Sequence, residues 1–211
     1  MQKLFKWFGI AILSVSAGQL HAEESYGKPE DPVVTYTPSF DCAKDGTPSE
    51  KLICKDEVLS KLDSTLTKVY KSAYRAYPEN EKKDLVSEQK VWIKHRDGCT
   101  SSSVAISCMT RAYESRISQL QIAGGLVEVP EAVYYKCDGK KENTLTVYFY
   151  NTTQMPTVVL NLPLKQEMAY SSMSGSGAKY TSEDIEFWEH HGEATLKHNG
   201  RTLKCKEFTN R

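Results

Sequence analysis

What this chain lacks narrows its function before any motif is considered. Beyond its first residues, no apolar run approaches the roughly 20 residues that a membrane-crossing helix needs. No Cys-x-x-Cys pair occurs, and no cysteine precedes Cys42. Neither a nucleophile-elbow turn nor a paired-carboxylate motif is found, so no hydrolase and no catalytic residue is expected. His95 has no Ser or Cys that the sequence places beside it. Charge of one sign is not in excess either, with 27 Lys and Arg against 27 Asp and Glu. Phosphate binding wants a clear basic surplus, so no nucleic-acid partner is expected.

Residues 1–22 read as a secretory signal peptide. Lys3 and Lys6 supply a positive start, Trp7 to Ala17 a short apolar stretch, and Ala22 a small residue at the expected cut. With no cysteine near that cut, no lipid or membrane anchor is expected, and the mature chain is expected to be soluble and periplasmic. It would carry 25 basic and 27 acidic residues, which permits a basic protein partner. Six cysteines in an exported chain favour three disulfides over metal or redox chemistry. The length suits two small domains.

Residues 23–37 are polar, contain Pro29 and Pro32 and show no periodicity, as expected of a flexible lead-in. Residues 38–123 read as a small α-helical bundle. Thr47-Pro48-Ser49 marks the start of a short helix through Cys54. Leu59, Leu62, Leu66, Val69, Tyr70 and Ala73 recur at helical spacing. Pro78 breaks the chain, and Leu85, Gln89, Trp92 and Ile93 mark a return helix ending near Gly98. A further helix is expected from about Val104 to Leu120. Cys42, Cys54, Cys99 and Cys108 sit near the helix ends, where they could staple a unit whose core alone is small. Their three possible pairings stay open.

Gly124-Gly125 opens a linker, residues 124–131, after which the period changes to two. Thr144–Tyr150, Thr157–Leu162 and Ala194–Lys197 read as strands, with tight-hairpin signals at Asp138-Gly139 and Asn199-Gly200. Residues 132–211 are therefore expected to form a small antiparallel barrel or sandwich of seven or eight strands. A Cys137–Cys205 bond would tie its first strand to its last. The fold class is thus α+β in two domains.

Residues 132–208 resemble the periplasmic and membrane-bound inhibitors of c-type lysozyme. The resemblance rests on Tyr135-Lys136-Cys137-Asp138-Gly139, Ser176-Gly177-Ala178-Lys179-Tyr180, Phe187-Trp188, Gly192-Glu193-Ala194-Thr195-Leu196 and Leu203-Lys204-Cys205. It implies that two loops plug the enzyme's cleft, which is lined by two carboxylates. Ser176 would donate a hydrogen bond to the catalytic aspartate. Gly177, Lys179, Tyr180 and Gly192 would shape or flank the loops. The lysine that the family places before the second loop's glycine is replaced here by Glu189-His190-His191-Gly192, one residue longer. His190 or His191 would stand beside the catalytic glutamate. Residues 39–121 resemble the LprI-like helical domain, also linked to lysozyme inhibition. They do so through Asp41-Cys42, Glu50 to Cys54, Arg96-Asp97-Gly98-Cys99, and Cys108 with Arg111, Tyr113, Arg116 and Ile117.

The expected function is accordingly an exported c-type lysozyme inhibitor that needs no cofactor. The alternative is an envelope binding or adaptor module that keeps the scaffold without the inhibition. Ser174 competes with Ser176 for the hydroxyl role, and only Ser176 has a tyrosine four residues on. A metal site at Glu189, His190 and His191 is disfavoured, because adjacent strand residues point apart. Trp92 and Trp188 are expected in the core. Arg96, Asp97 and Arg111 are expected in one ion-pair network at the helix ends, and Asn151-Thr152-Thr153 at a hairpin turn.

Overall fold

The computed structural model describes residues 37–44, 46–139, 143–162 and 165–209. The expected leader, and all of the lead-in except Thr37, lie outside the described residues. Four helices come first: α1 (Pro48–Lys55), α2 (Glu57–Ala76), α3 (Lys82–Gly98) and α4 (Ala105–Ala123), with a 3-10 turn at Cys99–Ser101. Eight strands follow: β1 (Ala132–Cys137), β2 (Thr144–Tyr150), β3 (Thr157–Asn161), β4 (Gln166–Ser172), β5 (Ala178–Thr181), β6 (Ile185–His190), β7 (Glu193–His198) and β8 (Arg201–Phe208).

Local chemistry explains the helix starts. The Thr47 hydroxyl accepts from the Glu50 amide (3.2 Å) while the Glu50 carboxylate accepts from the Thr47 amide (2.7 Å). These two bonds satisfy otherwise orphaned donors at the start of α1. Asp56 does the same for α2 by accepting from the Leu59 amide (2.9 Å). α4 runs three residues past the expected Leu120, since nothing stops it before Gly124.

Leu59, Leu62, Leu66 and Ala73 of α2 face Leu85 of α3 and Met109, Tyr113, Ile117 and Leu120 of α4. One polar chain crosses this core. The Ser39 amide donates to Asp63 (2.6 Å), Asp63 accepts from the Tyr113 hydroxyl (2.8 Å), and Tyr113 accepts from Arg96 (3.1 Å). Arg96 also pairs with Asp97 (2.7 Å). Burial, then the Asp63 carboxylate, pushes the Tyr113 hydroxyl pKa upward. Such a chain is costly if left half-made, because Asp63, Tyr113 and Arg96 are buried and polar. Trp92 packs at the edge of this core and donates to the Ala112 carbonyl (3.0 Å). The cysteines pair locally, Cys42 with Cys54 and Cys99 with Cys108.

The strands form a closed barrel in sequence order, with β8 returning to β1. Alternation sends Tyr135, Leu145, Val147, Val158, Leu160, Ala169, Tyr180, Phe187 and Leu196 inward. Cys137 and Cys205 are opposed in the β1–β8 register and bonded there. The Asn199-Gly200 turn has both residues at positive φ, as a two-residue hairpin requires. Asp138-Gly139 also takes positive φ, yet β1 rejoins β2 only where the Cys137 amide donates to the Asn143 carbonyl. The departure from a tight hairpin has a cause. Asp138 is held by β8, its amide on the Lys204 carbonyl (2.7 Å) and its carboxylate on the Lys204 amide (3.0 Å).

The Cys137–Cys205 bond closes a loop with a sequence separation of 68. The chain-entropy model assigns such a loop about 4 kcal/mol. Replacing both cysteines by serine should lower unfolding stability by about that amount, read from urea or thermal melts. An unchanged midpoint would contradict this role.

Candidate functional site

The site is built from two loops that leave neighbouring strands at one end of the barrel. The first, residues 173–177, joins β4 to β5. The Ser176 carbonyl accepts from the Ser174 hydroxyl (2.5 Å) and from the Trp188 indole Nε1 (2.8 Å). The loop is thus tied down through its backbone. The Ser176 hydroxyl is exposed and has no partner among the described residues, whereas that of Ser174 is spent inside the loop.

The second loop joins β6 to β7. His190 pairs with Glu193, and the two residues between them, His191 (φ 55°) and Gly192 (φ 78°), make the turn. Glycine adopts this region freely, while a residue such as histidine enters it at a modest cost. The Gly192 amide donates to the Glu189 carboxylate (2.9 Å), and the Gly192 carbonyl accepts from the Glu207 amide (2.7 Å). The His190 and His191 rings are exposed and stacked, with centroids 4.1 Å apart and planes 10° from parallel.

Gly177 brings the loops together. At φ 64°, a Cβ placed there would lie 2.3 Å from the Glu189 carbonyl oxygen and 3.0 Å from the His190 Cβ. No side chain fits such a gap, so the first loop rests directly on the end of β6, the strand that leads into the second loop.

The remaining expected residues support this arrangement from below. Tyr180 is buried and packs edge-on to Phe149. Burial, then the Glu189 carboxylate, raises its hydroxyl pKa. Lys179 binds Glu186 (2.7 Å), which also holds Lys197 (2.7 Å). Hydrogen bonds from these two ammonium groups lower the pKa of the Glu186 carboxyl. Among the described residues, no three His, Cys, Asp or Glu side chains gather as metal ligands.

Two expectations need correction. Trp188 is not core but 41% exposed. Phe187 faces inward on β6, so the strand period forces its neighbour outward, a signal present in the sequence. Trp188 braces the Ser176 loop instead. Arg111, expected beside Arg96 and Asp97, reaches from α4 to the barrel. It donates to the Ser171 carbonyl (3.1 Å) and the Thr181 hydroxyl (3.3 Å). Nothing in the residue pattern pointed to these partners, which lie 60 and 70 residues away.

Gly177→Ala should destabilise the protein by about 1–3 kcal/mol in urea denaturation, because it adds a clash at positive φ. Gly175→Ala should be nearly neutral, since nothing lies within 4 Å of its Cβ position. Equal effects would contradict the proposed close approach.

Residues 135–204 match the family model described as membrane-bound lysozyme-inhibitor of c-type lysozyme. Residues 42–120 match the one described as lysozyme inhibitor LprI. Lipoprotein LprI of Mycobacterium tuberculosis, and likewise that of Mycobacterium bovis, is 31% identical over 205 residues, covering 95% of this chain and 98% of the relative. A membrane-bound lysozyme inhibitor of C-type lysozyme from Cupriavidus necator is 38% identical over 66 residues, 31% of this chain and 51% of that protein. A crystal structure of Pseudomonas aeruginosa MliC in complex with hen egg white lysozyme is 28% identical and covers 38% of this chain and 85% of its own, with a TM-score of 0.33. Near-complete coverage by the mycobacterial relatives, and the two matches in the same order as the helices and barrel, carry the conclusion: the chain belongs to the LprI lysozyme-inhibitor family.

Proposed function

We propose that this protein is an exported, periplasmic inhibitor of c-type lysozyme with no catalytic activity of its own. It would enter the enzyme's cleft with the 173–177 loop and the His191-Gly192 hairpin. The observation that carries this reading is the direct packing of Gly177 on Glu189 and His190, which seats the first loop on the strand end that carries the second and sets the two side by side as one wedge. Residues 1–22 would direct export. Residues 38–123 and 132–211 would serve as a helical and an inhibitory domain, joined by a linker at 124–131.

A glycosidase cleft presents two carboxyl groups. The Ser176 hydroxyl, without an intramolecular partner among the described residues, is available to donate to one of them. A hydrogen bond to a charged acceptor is stronger than one between neutral groups. The second carboxylate would meet an imidazole. His191 stands at the hairpin tip, while His190 has its Cβ against Gly177, so we assign His191 the contact and His190 the wedge. The family's membrane-bound and lipoprotein members carry those words in their names. In this chain the first cysteine is Cys42, in a disulfide with Cys54.

The test is a titration of hen egg white lysozyme with the mature protein and with Ser176→Ala. Stoichiometric inhibition by the wild type, weakened roughly tenfold or more in the variant, is expected. No inhibition by the wild type would overturn the reading in favour of the adaptor alternative.

Acidity should modulate the effect. An opposite charge favours protonated imidazole, so binding beside a carboxylate raises the histidine pKa in the complex. The gain is then full at acidic pH and is lost as pH rises through the raised pKa of the imidazole in the complex. Inhibition should tighten from about pH 7.5 to about pH 5.5, and His191→Lys should flatten that dependence. Identical pH profiles for the wild type and His191→Lys would contradict the assignment.

A further inference from the structure

The helical half lies outside the wedge, yet it grips the strands that carry it. β5 is only four residues long, and it meets β4 through Tyr170↔Thr181, Ser171↔Tyr180 and Ser172↔Lys179. Among the described residues this is the shortest ladder in the barrel. The loop bearing Ser176 is therefore mounted on the barrel's thinnest seam, and short ladders open most readily.

Arg111 crosses that seam. One guanidinium nitrogen donates to the Ser171 carbonyl of β4, and the other to the Thr181 hydroxyl of β5. The planar fork of arginine suits such two-point bridging, which the point charge of lysine cannot reproduce. The helix that carries Arg111 is itself anchored. Ser118, seven residues on, donates to the Met155 carbonyl (3.0 Å) and accepts from the Met155 amide (2.8 Å). Gln121 accepts from the Gln154 amide (2.9 Å). Tyr170 points outward from β4 and is half-buried. Burial pushes its hydroxyl pKa up to about 12, while Arg116 and Arg111 pull it down.

We infer that α4 is a brace for the inhibitory wedge, with Arg111 as the positioning residue that holds β4 and β5 in register beneath the Ser176 loop. The helical domain would thereby serve lysozyme binding without touching the enzyme. This rests on the loop reading above. Its physical logic is preorganisation: a loop ordered before binding pays less entropy on binding.

The test compares Arg111→Ala, Arg111→Lys and Ser118→Ala in the full mature chain. It reads hydrogen exchange of the backbone amides of residues 172–181 and inhibition of hen egg white lysozyme. Arg111→Ala should speed exchange there and weaken inhibition about three- to tenfold, with the melting temperature little changed. Arg111→Lys should rescue only part of the loss. Ser118→Ala should loosen the 151–156 turn but, with Gln121 still bonded to Gln154 and Arg111 still spanning the seam, leave exchange of the wedge strands as in the wild type. The inference fails if Arg111→Ala leaves exchange unchanged, or speeds it without weakening inhibition. It fails also if Ser118→Ala speeds wedge exchange as much, since general undocking would then explain the effect. If the wild type does not inhibit lysozyme, the proposed function and the positioning role fall together. Faster exchange in Arg111→Ala alone would then leave the seam clamp standing as a structural fact only.

Discussion

The contact between the Gly177 backbone and the Glu189–His190 strand end is the constraint on which the site depends. Two separate loops would each lose conformational freedom on entering a cleft. Packed on one another, they lose most of it on folding. Three features serve that contact. Gly177 offers no Cβ where the Glu189 carbonyl oxygen approaches. Trp188 holds the Ser176 carbonyl from the outer face of β6. Glu189 caps the Gly192 amide and so fixes the neighbouring hairpin. The Ser176 hydroxyl is left over from this network, which is the condition for donating outward.

The barrel supplies rigidity by closure and by a bond between its first and last strands. Closing β8 on β1 removes sheet edges, and Cys137–Cys205 limits the open states of the unfolded chain. The helical part is small and uses a different device. Its core is threaded by the Ser39–Asp63–Tyr113–Arg96 chain, which demands one arrangement of α2, α3 and α4. That fixed arrangement holds α4 where Arg111 and Ser118 reach the barrel.

Much of this was legible in the residue pattern, for definite reasons. The switch from a three-to-four-residue period to alternation separates helices from strands without further information, and β2 begins and ends where its apolar alternation does. The two loops were implied by the family resemblance, and Gly177 and Gly192 both take the positive φ that their turns require. What was not legible depends on how the elements are placed in space. The helix-end cysteines allowed three pairings. The chosen one follows from Cys42 lying before α1 and Cys54 in its last turn, while Cys99 and Cys108 flank the α3–α4 turn. Arg111 carries no local mark of its partners on β4 and β5. Trp188 stands outward because Phe187 takes the inward position on β6, and aromatic bulk alone does not set which face of a strand a residue occupies.

The central claim is that the two loops occupy the substrate cleft of a c-type lysozyme. Steady-state kinetics of hen egg white lysozyme on a soluble oligosaccharide, at several concentrations of this protein, tests it most directly. The account predicts competitive inhibition: the apparent KM rises with inhibitor while kcat stays constant. A fall in kcat at constant KM would place the contact outside the cleft and contradict the account.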